Sequence, residues 1–504
     1  MIFFLKNQIC ARLAELFHFL FIKDRGMKKS TLTLGVIAAL GAAWVGGAWY
    51  TGKVAEEEFV HQVNLVNKDL SQSADSLGLD IRFDHVSFER GLFSSKTKYD
   101  ILVAELENPS KTWTLPFEGT LYHGPLPLNQ LSHFNFMPSL FSSVDLITKN
   151  ETTAPWFEAT KGKTPITVTT FVDYNQSGSS HVDLVPFEAV MEEGTLAVNG
   201  LDMKLGFKRD GVNKLDFALN KLQYSEPDKN ASVEFNDLKI DAEYQRIPEW
   251  TYLSTGKQSL SGGAVKFNAI DSEGKNNHVE FKNWKVDFDT VRKDNILDSG
   301  AKIVFNGISV RDFDLGDLTI DMALNHVDGE TFNQLIQVYN ESAKQQHDEL
   351  TDEEVQITKK FIDTQPQFIL NPTLSNKAGK LASNLDISMA SADFENAIGQ
   401  GKIFRLFNHF IFKMDANKEA LIEEAATVLQ LDRLDDKEQA TKVATEQVNL
   451  GVKNGVQQGI LVEDGKSVKL DLVLEKGELK LNGNVIPEEQ VASMLFLMVM
   501  SMGQ

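Results

Sequence analysis

ASVEFNDLKIDAEY, residues 231–244, places apolar side chains at Val233, Phe235, Leu238, Ile240 and Ala242 among Glu234, Asn236, Lys239, Asp241 and Glu243. Apolar residues at about every second position mark a strand with one face packed and the other wetted, as in antiparallel sheets. The same texture extends in both directions. PITVTTFVDY (165–174), GTLAVNGLDMKLGF (194–207) and KLDFALNKLQY (214–224) precede it; GAVKFNAID, HVEFKNWKVDFD and AKIVFNGISVRDF follow. Further upstream, IRFDHVSFERG (81–91), KTKYDILVAEL (96–106) and TWTLPFEGTLYHG (112–124) read as strands broken by turn residues.

A weak repeat runs through this region. VNGLDM (198–203), FNDLKI (235–240), FKNWKV (281–286) and FNGISV (305–310) share an apolar residue, two turn-prone positions and an apolar–x–apolar ending. Asn-Gly and Asn-Asp mark either a tight turn or a bulge that kinks a strand. The spacing is irregular, which excludes a strict solenoid and leaves one long, repeatedly bent sheet or a pair of related β halves.

Helix replaces strand at Glu330. Phe332, Leu335, Ile336 and Tyr339 fall at helical spacing, then Leu350, Val355, Ile357 and Phe361, with Thr351 and Glu354 spaced as a capping box. Strands return at 380–390 and 402–415, a helical pair follows at 417–431 and 436–458, and a hairpin turns at Lys476-Gly477. Pro487 opens a last helix, apolar on nearly all sides and too short to span a bilayer.

Before the sheet lies STLTLGVIAALGAAWVGGAWY (30–50), an uncharged run long enough to cross a membrane once. Lys23, Arg25, Lys28 and Lys29 precede it and set the cytoplasmic side. Gly46 and Ala48 suit a signal peptidase, yet the run exceeds a secretory h-region, and Trp44, Trp49 and Tyr50 form an interfacial belt; a retained anchor is expected. Met27 followed by Lys28-Lys29 is itself laid out as a start, so residues 1–26 read as a mis-called start or a short amphipathic helix. Gly35, Ala39, Ala43 and Gly47 form a small-residue track suited to self-association in lipid. The expected segments are a cytoplasmic N-terminus (1–29), the anchor (30–50), a helical juxtamembrane segment (51–78), a β-rich periplasmic domain (79–328) and a mixed C-terminal region (329–504). The fold class is α+β: a long, curved, mainly antiparallel sheet with helices in the C-terminal third, after one transmembrane helix.

The chain of 504 residues carries a net charge of -21, which argues against nucleic acid as a partner. Its one cysteine, Cys10, lies upstream of the anchor, so the exported body has no disulfide, thiolate metal site or cysteine nucleophile. The chain lacks a G-x-S-x-G elbow, a Walker loop and H-E-x-x-H, and no cofactor is expected. Asp312, Asp314, Asp317 and Asp321 are out of order for a calcium loop and read as a solvated acidic edge. His123, before Gly124-Pro125, reads as a turn-stabilising histidine. Phe207, Phe217, Phe235, Phe267, Phe281 and Phe305 sit at alternation positions and read either as sheet core or as the lining of a groove for acyl chains, with the helices at 330–362 and 416–458 as lids.

Several segments together resemble one family. Met27-Lys28-Lys29 with GVIAALGAAWVGGAWYTGK (35–53), ERGLFSSK (89–96), YHGPLPLNQL (122–131), FMPSL (136–140), KGKTPITV (161–168) and the closing LKLNGNVIPEEQVASMLF are similar to the YdgA-like envelope proteins of bacteria. The resemblance runs from Met27 to the C-terminus. It implies attachment at the periplasmic face of the inner membrane, homodimerisation, and no assigned activity or catalytic residues. The expected function is therefore a non-enzymatic structural or interaction role in the envelope. The alternative is binding or transfer of a lipid or other hydrophobic ligand in a sheet groove.

Overall fold

The computed structural model describes residues 29–74, 79–106, 108, 110–132, 138–191, 194–226, 230–270, 275–345, 351–390, 402–432 and 436–487. For 29–44 it describes the backbone alone. The expected N-terminal extension and closing helix lie outside these residues, as do the side chains of Gly35, Ala39 and Ala43.

The alternating runs become strands close to their expected bounds. They are β1 (Leu79–Arg90), β2 (Ser94–Glu105), β3 (Thr112–His123), β4 (Phe141–Ile147), β5 (Ile166–Val172), β6 (Gly178–Leu184) and β7 (Phe187–Val190). The long central strands are β8 (Thr195–Lys208), β9 (Gly211–Glu226), β10 (Ala231–Ile247), β11 (Trp250–Ile270), β12 (Asn276–Lys293), β13 (Ile296–Val310) and β14 (Phe313–Asp328). The last group is β15 (Gln367–Asn376), β16 (Gly379–Met389), β17 (Phe407–Asn417), β18 (Val462–Asp464), β19 (Ser467–Glu475), β20 (Glu478–Leu481) and β21 (Asn484–Val485). All belong to one 21-stranded sheet. Neighbours in sequence pair antiparallel from β1 through β17, except that β6 and β7 both lie beside β8. β17 then pairs with β19, which carries β18 and β20.

β4, β6, β7 and β15 are strands that alternation does not announce; in β15 Pro372 interrupts the pattern. Proline has no N–H to donate, and the pairing with β16 accordingly skips Asn371 and Pro372 while the pairing with β14 runs through them. The sheet thus continues past the helices inserted after β14.

The repeat turns out to be a line of bends. Gly200, Asp237, Asn283 and Gly307 have φ of 70°, 53°, 45° and 97°. The registers on either side set Asp237 opposite Asn220 and Gly263, and set Gly200 and Asn283 opposite those two in turn. Gly307 follows beside Lys282 on the next strand. In a regular strand Phe235 and Leu238, three apart, would face opposite sides. A left-handed residue between them resets the alternation, as a bulge does, and keeps both apolar runs on one face. Phe281 and Phe305, on opposite sides of the line, lie 5.3 Å apart.

Helix α1 (Lys29–Ala74) is continuous from the apolar run into the body. Ala55 is buried with Leu121, Leu140, Phe141 and Val172, and the Phe59 ring lies 5.8 Å from Phe88 and 6.3 Å from Tyr99. Asn67 closes the free edge of the sheet: its amide nitrogen donates to Phe83 O at 3.0 Å and its oxygen accepts from Phe83 N at 2.7 Å. An edge strand otherwise offers those groups to another chain. Two short helices, α2 (Leu128–Ser132) and α3 (Ala154–Ala159), lie in the loops flanking β4. α4 (Gly329–Gln345) and α5 (Asp352–Asp363) follow β14, and α6 (Lys418–Asp432) and α7 (Lys437–Gln457) follow β17. The expected capping box opens α5: Thr351 Oγ1 accepts from Glu354 N, and the Glu354 carboxylate accepts from Thr351 N.

Candidate ligand-binding face

Strand registers place apolar side chains in rows that cross many strands. One row runs Met203, Phe217, Ile240, Leu260, Val286, Ile303, Ile320, from β8 to β14. A second, two residues along β12, runs Phe288, Ala301, Met322, Leu370, Leu385, Phe412, Leu472, Leu481, from β12 to β20. At about 4.8 Å between strands, the two together cover about 50 Å of sheet. The opposite face is charged. Lys285 and Asp287 pair at 2.8 Å, and Lys302 lies 3.5 Å from Asp321 across strands.

Helices close this apolar face at its margins. At one end Gly329 starts α4 beneath the Trp250 ring, where a Cβ would come within 2.2 Å of an indole carbon. Trp250 is buried with Ile247, Leu297 and Val327, against Phe332 of α4 and Phe361 of α5, whose rings stack at 5.4 Å. The α6–α7 pair meets the opposite strand ends: Arg311, in the β13–β14 turn, donates through Nη1 to Leu431 O, and Asn376, ending β15, donates to Glu424 Oε1. Between these margins, Phe267 remains 40% and Phe288 45% exposed.

Where α4 and α5 overhang the face, they shape an open cavity of about 400 Å³. Its floor is Leu324, Phe368, Ile387 and Met389; its wall is Leu335, Tyr339, Phe361 and Ile362. The polar feature of this wall is the Tyr339 hydroxyl, 3.2 Å from Thr358 Oγ1. This is the size and chemistry of a small-molecule pocket: apolar walls with few convergent polar groups.

A separate polar cluster joins α1 to the sheet. His123, 1% exposed, donates from Nδ1 to Ala48 O at 2.9 Å, so its Nε2 is the acceptor for the Ser95 hydroxyl at 3.1 Å. Burial holds the imidazole below its ordinary pKa. Its expected part in the adjacent turn is replaced by this contact, 75 residues away along the chain. Gly52 makes room for it: a Cβ there would stand 2.6 Å from the ring. Nearby, Asp145 accepts from Thr97 Oγ1 at 3.0 Å and Ser143 Oγ at 2.7 Å, and burial pushes its carboxyl above the usual range.

The model of a family described as "Bacterial protein of unknown function (DUF945)" matches residues 27–489. The chain belongs to that family. DUF945 therefore takes in α1 and every strand of the sheet. Protein YdgA of Escherichia coli (strain K12) is 26% identical over 503 residues, covering 93% of this chain and 97% of the relative. Protein YihF of the same organism, uncharacterised, is 25% identical over 487 residues, 91% and 97% of the two chains. An uncharacterised protein of Haemophilus influenzae is 27% identical over 319 residues, 62% of this chain and 86% of its own.

Within this DUF945 chain the expected groove residues divide. Phe235 meets Phe267 edge-on at 6.5 Å, and together with Phe281 and Phe305 they lie on the central apolar face. Phe217 packs at its near margin with Leu219 and Leu201. Phe207 instead joins the core of Ala55 and Leu121 beneath α1, its ring over Gly178. Gly47 of the small-residue track meets Pro125 of the same chain, where a Cβ would come within 2.8 Å. The helices α4 and α5 lie over the face as the expected lids, but the residues lining their cavity were not among the expected groove residues. The signal for that cavity was the helical stripe Leu335–Tyr339, which reads equally as core.

Proposed function

We propose that this protein is anchored in the bacterial inner membrane by residues 30–50, exposes its body to the periplasm, and holds long apolar ligands of the acyl-chain class on the sheet's apolar face. Among the described residues no helix is long and apolar enough to cross a membrane. The anchor is argued instead from the uncharged run and its flanking lysines. The observation that carries ligand binding is the apolar face itself, continuous across β8 to β20 and ending in the cavity under α4 and α5. Ordinary core would be covered, whereas Phe267 and Phe288 are not. The reading is one of holding or transfer: among the described residues the cavity wall is apolar apart from the Tyr339–Thr358 hydroxyl pair.

The test is photocrosslinking of the full-length protein in its native membrane, with p-benzoylphenylalanine at Phe267, Phe288 or Phe368 and, as control, at Lys302 on the charged face. Lipid adducts at the three Phe positions and none at Lys302 support the reading. Absence of adducts at all three, or equal adducts at all four, overturns it.

A further inference from the structure

Helix α1 does not run free of the body before entering the apolar segment. The body already grips it at Gly47, against Pro125, and at Ala48, which is fully buried and hydrogen-bonded to His123. From Ser30 to Gly46 the helix rises only about 25 Å at 1.5 Å per residue, no more than the ~30 Å hydrocarbon core. If that segment spans the bilayer, the end of the body that holds Gly47 and Ala48 is at the lipid headgroups, with no spacer between.

Three segments meet at the His123–Pro125 end of β3, which holds the helix at this level. The β1–β2 turn arrives through Phe93, whose carbonyl accepts from His123 N at 3.0 Å. The turn leading to α2 arrives through Pro125. Tyr174, after β5, donates its hydroxyl to Gly124 O at 3.3 Å. Each carries an apolar or aromatic side chain left in the open: Leu92 is 47%, Leu128 45% and Tyr174 43% exposed, beside Trp49 at 55% and Tyr50 at 50% on the helix. Five such residues on segments joined at one point of the body are read as a patch and not as scattered exposure. Trp and Tyr are the side chains that favour the membrane–water interface.

We propose that this end of the body is a lipid-contacting rim, seated in the headgroup zone of the bilayer around α1 by Trp49, Tyr50, Leu92, Leu128 and Tyr174. The inference rests on the anchor reading above. The occupant is the bilayer and not a soluble partner, because α1 enters from this side and the membrane it leaves occupies the space. The nearby cations Arg90 and Lys53 face Glu56 at 3.3 Å and Glu57 at 3.9 Å, so apolar insertion rather than attraction to anionic lipid drives the contact. A body seated in this way holds its orientation to the membrane instead of swinging on the helix.

The test uses the full chain with Cys10→Ser, reconstituted in liposomes of phosphatidylethanolamine and phosphatidylglycerol. Single cysteines at Leu92, Leu128, Ala39 and Leu450 carry an environment-sensitive fluorophore; Leu450, on α7, is 60% exposed and remote from the rim. Doxyl-labelled phospholipid is expected to remove most of the emission at 39, 92 and 128 and to leave 450 unchanged. Quenching at 39 with 92 and 128 as bright as 450 overturns the rim and leaves the anchor standing. No quenching at any position, 39 included, overturns the anchor and the rim with it. Thermal unfolding of each labelled variant at the parent temperature verifies that the exposed positions tolerate the change.

Discussion

His123 Nδ1 donates to the carbonyl of Ala48 at 2.9 Å, tying the end of strand β3 to the middle of a helix that begins 94 residues earlier in the chain, at Lys29. The bond is made in a dry site and its imidazole is neutral, with burial as the main cause of the depressed pKa. Gly52, one helical turn on, gives up its side chain to let the ring approach.

Gly52→Val should therefore loosen α1 more than a helix-propensity change can. Propensity alone differs by a few tenths of a kcal/mol in valine's favour, while forcing a side chain into a packed site costs about 1–3 kcal/mol. Limited proteolysis within 60–74 reads the difference: faster cleavage than in wild type is expected, and an unchanged rate removes the latch.

The same contact should weaken with acid. Because the folded pKa of His123 lies below the unfolded value, near 6.5, the unfolded or undocked state binds the proton first. Stability from this residue is intact above that value and declines as pH falls below it toward the folded pKa. Protection of the amides of 48–56 against hydrogen exchange, referred to the intrinsic rate at each pH, should fall between neutral pH and about pH 5. His123→Gln, which does not titrate, should abolish the fall.

Asp145 has the opposite linkage. Its raised pKa means that ionisation in the folded state costs free energy as pH rises through the window between the unfolded value, 3.8, and the folded one. Asp145→Asn keeps an acceptor for Thr97 or Ser143 and removes the charge. A higher melting temperature than wild type is expected at pH 7 and little gain below pH 4; a lower one at pH 7 contradicts the assignment.

The bend line predicts a fourth effect, one of backbone rather than contact. Asp237→Val places a β-branched residue at φ 53°, at an expected cost of about 1–3 kcal/mol. Asp237→Gly should be close to neutral. Chemical denaturation of the pair separates strain from loss of the carboxylate: equal destabilisation by both would show that the side chain matters and the conformation does not.

Asn67→Leu opens the sheet edge. The backbone N–H and C=O of Phe83 lose their partner, and two exposed groups on an edge invite pairing with another chain. Concentration-dependent self-association beyond that of wild type is the expected readout by analytical ultracentrifugation.

Local rules made much of the fold legible. Alternation located the long central strands β8–β13 and the first three, Thr351 with Glu354 located the start of α5, and Lys476-Gly477, both at positive φ, turned the β19–β20 hairpin. These features depend on residues within a few positions of each other, so spacing and chirality decide them before any tertiary contact forms. β15 was hidden because a strand with proline inside it is held by its neighbour β14, not by its own pattern.

The sequence by itself determined a one-faced antiparallel sheet, its bends at Asn-Gly and Asn-Asp, and an apolar helix ahead of it, because periodicity and backbone preference are properties of short segments. Tertiary structure alone decided which strands lie side by side, and so that the phenylalanines form rows across many strands, with Phe207 in the core and Phe267 in the open. It also decided that His123 would serve a distant helix rather than its own turn. Those outcomes depend on register and on what covers each face, and both are set by contacts between residues far apart in the chain, which no local pattern encodes.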